Sequence, residues 1–170
     1  GWTAALGWGT FGGSDMLEIG ASGVTLVQPF SYLVRFNATY DATPGVRVAL
    51  GTVEASGAIE LAIDASDKLS AVEKGSTAIL ADSADFGFGV SRVACVTYAE
   101  DGAGRLYIDG ALADSCADDR TVDKALKTIG CGYGLDYENF FEGSIQAMAF
   151  YRTTLTAKEV YRVSAAMAAL

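Results

Sequence analysis

Residues 132–139 read GYGLDYEN, a stretch that gathers aromatic, acidic and amide side chains within eight positions. Tyr133 and Tyr137 offer flat apolar faces of the kind that pack on a sugar ring, while Asp136 and Asn139 offer acceptors and donors for its hydroxyls. The same stretch also reads as a packed connection between two strands, and the residues alone leave both readings open. Asp136 and Glu138 share a face if the backbone is extended, as a pair of catalytic carboxylates must. The surrounding glycines and tyrosines point instead to a loop, where two acids are ordinarily just solvated. Trp2 and Trp8 form a second, less polar aromatic cluster that suits core packing or edge sealing. The chain has no histidine, which excludes Ser–His and Cys–His machinery and histidine-ligated metals.

These residues sit in a chain of 170 residues with 51% hydrophobic side chains, enough for one domain with a proper core. Twenty glycines against two prolines, among many β-branched and aromatic residues, point to short strands and tight turns. A net charge of −9 argues against nucleic acid and anionic membrane surfaces. No apolar run approaches the length of a spanning helix, so membrane insertion is not expected. No charged-then-apolar leader precedes Gly1, which fits a mature form or an excised domain. Cys95 lies in an apolar run and reads as a buried hydrophobe. Cys116 and Cys131 flank a polar stretch and either close it with a disulfide or stay free, since three cysteines do not fix a pairing. Asn37-Ala38-Thr39 is an N-glycosylation sequon, in keeping with an extracellular or cell-surface glycoprotein.

The elements that must position these groups are strands. Met16–Ile19 and Val24–Val27 are short apolar runs about a Gly-Ala-Ser-Gly turn and suggest a hairpin. Residues 30–40 alternate, with Phe30, Tyr32, Val34 and Phe36 on one face and Ser31, Leu33, Arg35 and Asn37 on the other, as in a half-buried strand. Val46–Leu50 and Ile59–Ile63 alternate too, and 69–80 suggests two short strands around Lys74-Gly75. Residues 82–89 read as a loop. Ser91–Tyr98 is a strand, Ala99–Gly104 a connecting loop, and Leu106–Ile108 a strand that turns at Asp109-Gly110 into Ala111–Ala113. Asp-Gly supplies the positive φ angles of a type I′ turn. Thr156-x-x-Glu159 is a capping box opening a helix, with Val160, Val163, Met167 and Leu170 at helical spacing.

The order of these pieces carries a resemblance. A strand, an acidic-glycine loop and an Asp-Gly hairpin come first. Ile129-Gly130, then Phe141-Glu142-Gly143-Ser144-Ile145, an aromatic strand at Phe150-Tyr151-Arg152 and Leu155-Thr156-Ala157-Lys158-Glu159-Val160 follow. Together they resemble the C-terminal half of laminin-G-like domains within the concanavalin A-like lectin/glucanase jelly rolls. The resemblance covers residues 91–160 in order; the first ninety residues fit in strand count and alternation. It implies an all-β, two-sheet antiparallel jelly-roll sandwich with a short C-terminal helix, a single domain over 1–170.

The resemblance also sets expectations about sites. Glycosidases of this fold class often carry a Glu-x-Asp-x-x-Glu motif on one strand, which is missing here, so no catalysis is expected. Many laminin-G-like domains bind calcium at the sandwich rim, and Asp101, Asp136 and Glu138, with Asp15, are the candidate donors. Gln146-Ala147 stands where the family often has a ligating Asp, which removes its simplest route to that ion. Asp109 is accounted for by its turn. The expectation is a non-catalytic extracellular recognition or adhesion module, binding a glycan or an extracellular protein through Tyr133, Asp136, Tyr137 and Asn139, with neighbouring domains in a larger chain. The alternatives are a structural or assembly module and an accessory domain of a glycosidase.

Overall fold

In a computed structural model, the described residues are 10–11, 17–18, 24–39, 47–51, 59–63, 66–73, 79–81, 86–117, 123–126, 128–130 and 141–170. They form fourteen strands and one helix: β1 (Thr10–Phe11), β2 (Leu17–Glu18), β3 (Val24–Val27), β4 (Phe30–Ala38), β5 (Arg47–Gly51), β6 (Ile59–Ile63), β7 (Leu69–Glu73), β8 (Ile79–Ala81), β9 (Arg92–Tyr98), β10 (Gly104–Ile108), β11 (Ala111–Cys116), β12 (Asp123–Leu126), β13 (Thr128–Ile129), β14 (Gly143–Tyr151) and α1 (Ala157–Ala168). One six-stranded sheet runs β1-β14-β4-β9-β10-β11, a second runs β2-β13-β5-β6-β7-β8, and β12 pairs with β3 in a separate ribbon. This is a jelly-roll sandwich, as the resemblance implied.

The alternation along β4 shows why the sheets stack. Phe30, Tyr32, Val34 and Phe36 face the second sheet and meet Leu61, Ile63, Leu69, Ala71 and Leu80. The expected half-buried strand is nevertheless corrected, because Ser31 and Leu33 on the other face are also fully buried. Helix α1 covers them: Leu155, Val160 and Met167 pack on Leu33, Val93, Cys95, Ala147 and Ala149. The first sheet is therefore buried on both faces, and that is why Cys95 lies in an uninterrupted apolar run.

The helix is fastened at both ends. Thr156 and Glu159 form the expected capping box, with the Thr156 N–H donating to Glu159 Oε2 at 2.8 Å. Ser31 Oγ donates to the Thr153 carbonyl at 2.8 Å and accepts from the Leu155 N–H at 2.9 Å. Arg35 Nη1 donates to the Met167 carbonyl at 3.1 Å, placing a cation at the carbonyl end of the helix dipole. Its buried positions are Val160, Ser164 and Met167. Leu170, expected in the apolar stripe, is 59% exposed, and Ser164 takes a buried place instead.

Other expectations also change. The proposed hairpin of 16–19 and 24–27 does not form: β2 pairs with β13, and β3 pairs with β12. Two short apolar runs do not specify each other, and each finds its partner in the strands β12 and β13, far along the chain. The two strands expected across 141–152 are one, β14, broken in register between Ile145 and Ala147. That bulge lets Gln146 leave the ladder without ending it. The polar stretch after Cys116 contains β12. The hairpin at Asp109-Gly110 forms with φ of 52° and 83°, as a type I′ turn requires.

Candidate functional site

The pairing registers define two ends of the sandwich. At one end lie Ala38 at the close of β4, Arg92 at the start of β9, the Asp109-Gly110 turn and Gly143 at the start of β14. At the other lie Phe30, Tyr98, the loop 99–103 and Tyr151.

The first end is where the 131–140 segment is rooted. Tyr133, Asp136, Tyr137, Glu138 and Asn139 lie outside the described residues, as do Trp2, Trp8, Asp15 and Cys131, but both flanks of the segment are defined. The Phe141 N–H donates to the Gly130 carbonyl at 2.6 Å, joining the two flanks. Phe141 is fully buried and meets Phe36 edge-on at 5.9 Å, while the other face of Phe36 stacks on Phe86 at 5.2 Å and 6°. The Thr39 N–H donates to the Glu142 carbonyl at 3.0 Å, and the Gly89 N–H donates to the Ala38 carbonyl at 2.9 Å. The loop 86–91 and the two flanks of residues 131–140 are thus clipped to the end of one strand around one aromatic ring. Gly143 completes the root with a φ of 140°; a Cβ there would collide with the Asn37 carbonyl.

Asp109 is fully employed in structure. Its Oδ1 accepts from the Val93 N–H at 2.8 Å and its Oδ2 accepts from Arg92 Nη1 at 2.9 Å. Gln146, the bulge residue, donates through Nε2 to Ser91 Oγ at 3.1 Å. Sequence reasoning overlooked this polar and aromatic collar. The aromatic–glycine alternation of Phe86-Gly87-Phe88-Gly89 was the available signal, since glycines with φ of 73° and 77° allow successive rings to turn inward.

Asp101 stands at the other end. It is exposed, and its Oδ1 accepts from the Ala103 N–H at 3.1 Å within the turn between β9 and β10. The length of β9, about 20 Å for seven residues, separates it from the root at Gly130 and Phe141. Asp136 and Glu138, the donors considered with it for calcium, lie outside the described residues. Among the described residues no group of three Cys, Asp or Glu side chains converges. Cys116 has a free thiol, and Cys131, its partner in the bridge considered from the sequence, lies outside the described residues. Cys95 is likewise free, and burial pushes its thiol up to about 12. Asn37 of the sequon lies half-buried on the helix-bearing face of the first sheet.

A laminin-G family model, described as the concanavalin A-like lectin/glucanases superfamily, matches residues 11–161. The chain belongs to this superfamily. Its fold is similar to that of the CBM40 domain of the Ruminococcus gnavus IT-sialidase bound to α2,3-sialyllactose (TM-score 0.76, 13% identity, 94% of this chain and 97% of that one). It is also similar to the native heptameric SAP-like pentraxin of Limulus polyphemus (TM-score 0.70, 13% identity, 91% and 80%). Against the NanB sialidase of Streptococcus pneumoniae the TM-score is 0.71 at 12% identity, and the match takes in 92% of this chain but 27% of that one. No curated protein sequence matches the chain. As a superfamily member the chain has a lectin-like sandwich, and it resembles carbohydrate-binding modules. No helix among the described residues is long and apolar enough to cross a membrane.

Proposed function

We propose that this superfamily member is a non-catalytic recognition module that binds a glycan at the sandwich end carrying residues 131–140. The hydrogen-bonded root is the observation that carries the reading. A ten-residue segment whose flanks are joined by one backbone hydrogen bond, and whose last flank is a buried aromatic, is presented on a rigid base. Binding residues concentrate on loops of this kind, because the scaffold has already met much of the ordering cost that a ligand would otherwise impose. Tyr133 and Tyr137 supply faces for a sugar ring, and Asp136 and Asn139 supply hydrogen bonds. The fold similarity to a sialidase carbohydrate-binding domain supports the class of ligand. The sequon at Asn37 supports an extracellular setting, with adhesion or substrate targeting as the role in a larger protein.

A glycan array, read with and without calcium, tests the proposal. Binding to at least one glycan is expected, and Tyr137→Ala should weaken it by about tenfold or more, the order of 1–3 kcal/mol seen for loss of an aromatic contact. Binding that survives Tyr137→Ala unchanged would move the site elsewhere. Self-association with no glycan bound would favour the assembly reading.

A further inference from the structure

Helix α1 covers the first sheet only in part and leaves a strip beside β10 and β11 open. Arg105 and Tyr107 share the helix-bearing face of β10, with Ser115 and Leu112 as their partners on β11. Tyr107 is buried and forms the floor, whereas Leu112 is 56% exposed. Tyr161 of α1 closes one end of the strip. Its Cα would lie 3.1 Å, and its ring 3.2 Å, from a Cβ on Gly110. The bare turn therefore lets the ring settle against the hairpin, while 63% of Tyr161 stays exposed.

The other end of the strip is cationic. Arg105 pairs in register with Thr97, and Thr97 with Ser31, the residue bonded to Thr153 and Leu155 just ahead of α1. Two strand spacings, about 10 Å, thus separate Arg105 from the residue that anchors the start of α1. Lys158 stands one turn before Tyr161 on the same side of the helix, and it is exposed, as is Arg105. Among the described residues neither cation makes a hydrogen bond or an ion pair. Burial pushes the Tyr107 phenol up, and the neighbouring Arg105 guanidinium pulls it back down. In a chain of net charge −9, two unpaired cations beside an exposed aromatic ring reverse the sign locally. The β11 edge that borders the strip is closed to a peptide strand. Asp114 Oδ1 accepts from the Ser115 N–H at 2.8 Å, and the register with β10 slips between Leu106 and Tyr107. A peptide lying here would gain little from main-chain pairing, whereas a sugar needs only a ring face and a counter-charge.

We propose that this strip on the helix-bearing face is a second glycan site, separate from residues 131–140, for a sugar carrying a carboxylate or sulfate. Tyr161 and Leu112 supply the apolar surface for the ring. Arg105, with its planar fork, and Lys158 hold the anion. The site is built from described residues alone and does not depend on the 131–140 reading.

Calorimetric titrations of α2,3-sialyllactose, sulfated lactose and lactose at low ionic strength test it. At least one anionic probe should bind, equally well in wild type and in Tyr137→Ala, and should weaken as salt is raised to about 0.5 M. Arg105→Gln should weaken that binding by about tenfold or more. Tyr161→Ala should weaken it as well, and Lys158→Gln severalfold; all three positions are exposed, so the variants should keep the wild-type melting curve. Anionic-probe binding that survives Arg105→Gln and Tyr161→Ala but is lost in Tyr137→Ala overturns the second site and leaves the first. Failure of both anionic probes to bind overturns this proposal, whatever neutral sugars do at residues 131–140. A polyglutamate peptide that binds more tightly than either sugar, and that depends on Arg105, overturns the glycan assignment in favour of an acidic protein partner.

Discussion

At the scale of single residues, several buried polar atoms among the described residues lack a partner, and the Tyr32 hydroxyl is the one between the sheets. Burial, then the neighbouring Tyr98 and Cys95, push its phenol well above the ordinary tyrosine range. A buried hydroxyl that has lost water and gained nothing costs about 1–3 kcal/mol. Tyr32→Phe removes the atom and keeps the ring, so it should raise the urea midpoint by the equivalent of roughly 1 kcal/mol with an unchanged m-value. A lowered midpoint would mean that the hydroxyl has a partner. Asp109 is the opposite case, since both carboxylate oxygens are bonded. Its turn was legible in the sequence because a type I′ turn constrains residue type at two adjacent positions. Its bonds to Val93 and Arg92 were not, because they depend on a strand sixteen residues upstream. The same distinction limits the proposed site. Its tyrosines and acids could be picked out by type, whereas the Phe36–Phe86–Phe141 cluster that roots it joins residues about fifty and a hundred positions apart.

At the scale of elements, local chemistry predicted best where it was dense. The α1 cap is such a case: Thr156 and Glu159 satisfy each other as their spacing implied. The Glu159 carboxyl is held below the usual carboxylate range, chiefly by the Thr156 backbone N–H and then by its hydroxyl. An unfolded glutamate titrates near pH 4.3, roughly, so the box stabilises the fold above that value and its contribution is lost as pH falls through the lower folded value. Thr156→Ala should cost about 1 kcal/mol at neutral pH. The difference between wild type and Glu159→Gln in chemical denaturation should shrink below about pH 4; a difference that persists into stronger acid would exclude the carboxylate as its source. Strand partners were far less legible. The Gly-Ala-Ser-Gly turn suggested that β2 and β3 face each other, yet they belong to different sheets, because a run of two to four residues fixes a face and not a neighbour. β14 was divided in two for a related reason. Its bulge at Gln146 interrupts the alternation that a sequence pattern relies on, while the ladder with β4 continues past it.

For the whole molecule, the decisive fact is that the first sheet has no solvent-facing side at its centre. Removing residues 155–170 would uncover Leu33, Val93, Cys95, Ala147 and Ala149 while deleting Leu155, Val160 and Met167. Each large apolar side chain buried there contributes about 1.5–3 kcal/mol, and the sum is comparable with the total stability of a typical domain, roughly 5–15 kcal/mol. The truncated chain should therefore lose its cooperative urea transition and bind a hydrophobic dye strongly; a cooperative transition at the wild-type midpoint would show α1 to be dispensable. The bonds of Ser31 have a further consequence. It reaches Thr153, 122 residues later in the chain, and β4 has β14 as one of its two neighbours. During synthesis β4 emerges before β14 and waits for it through roughly 5–20 s of elongation at the usual rates. Over that interval the β14-facing edge of β4 lacks its partner, and synonymous codon changes that slow translation between β4 and β14 should lengthen the exposure without altering a single contact of the finished fold.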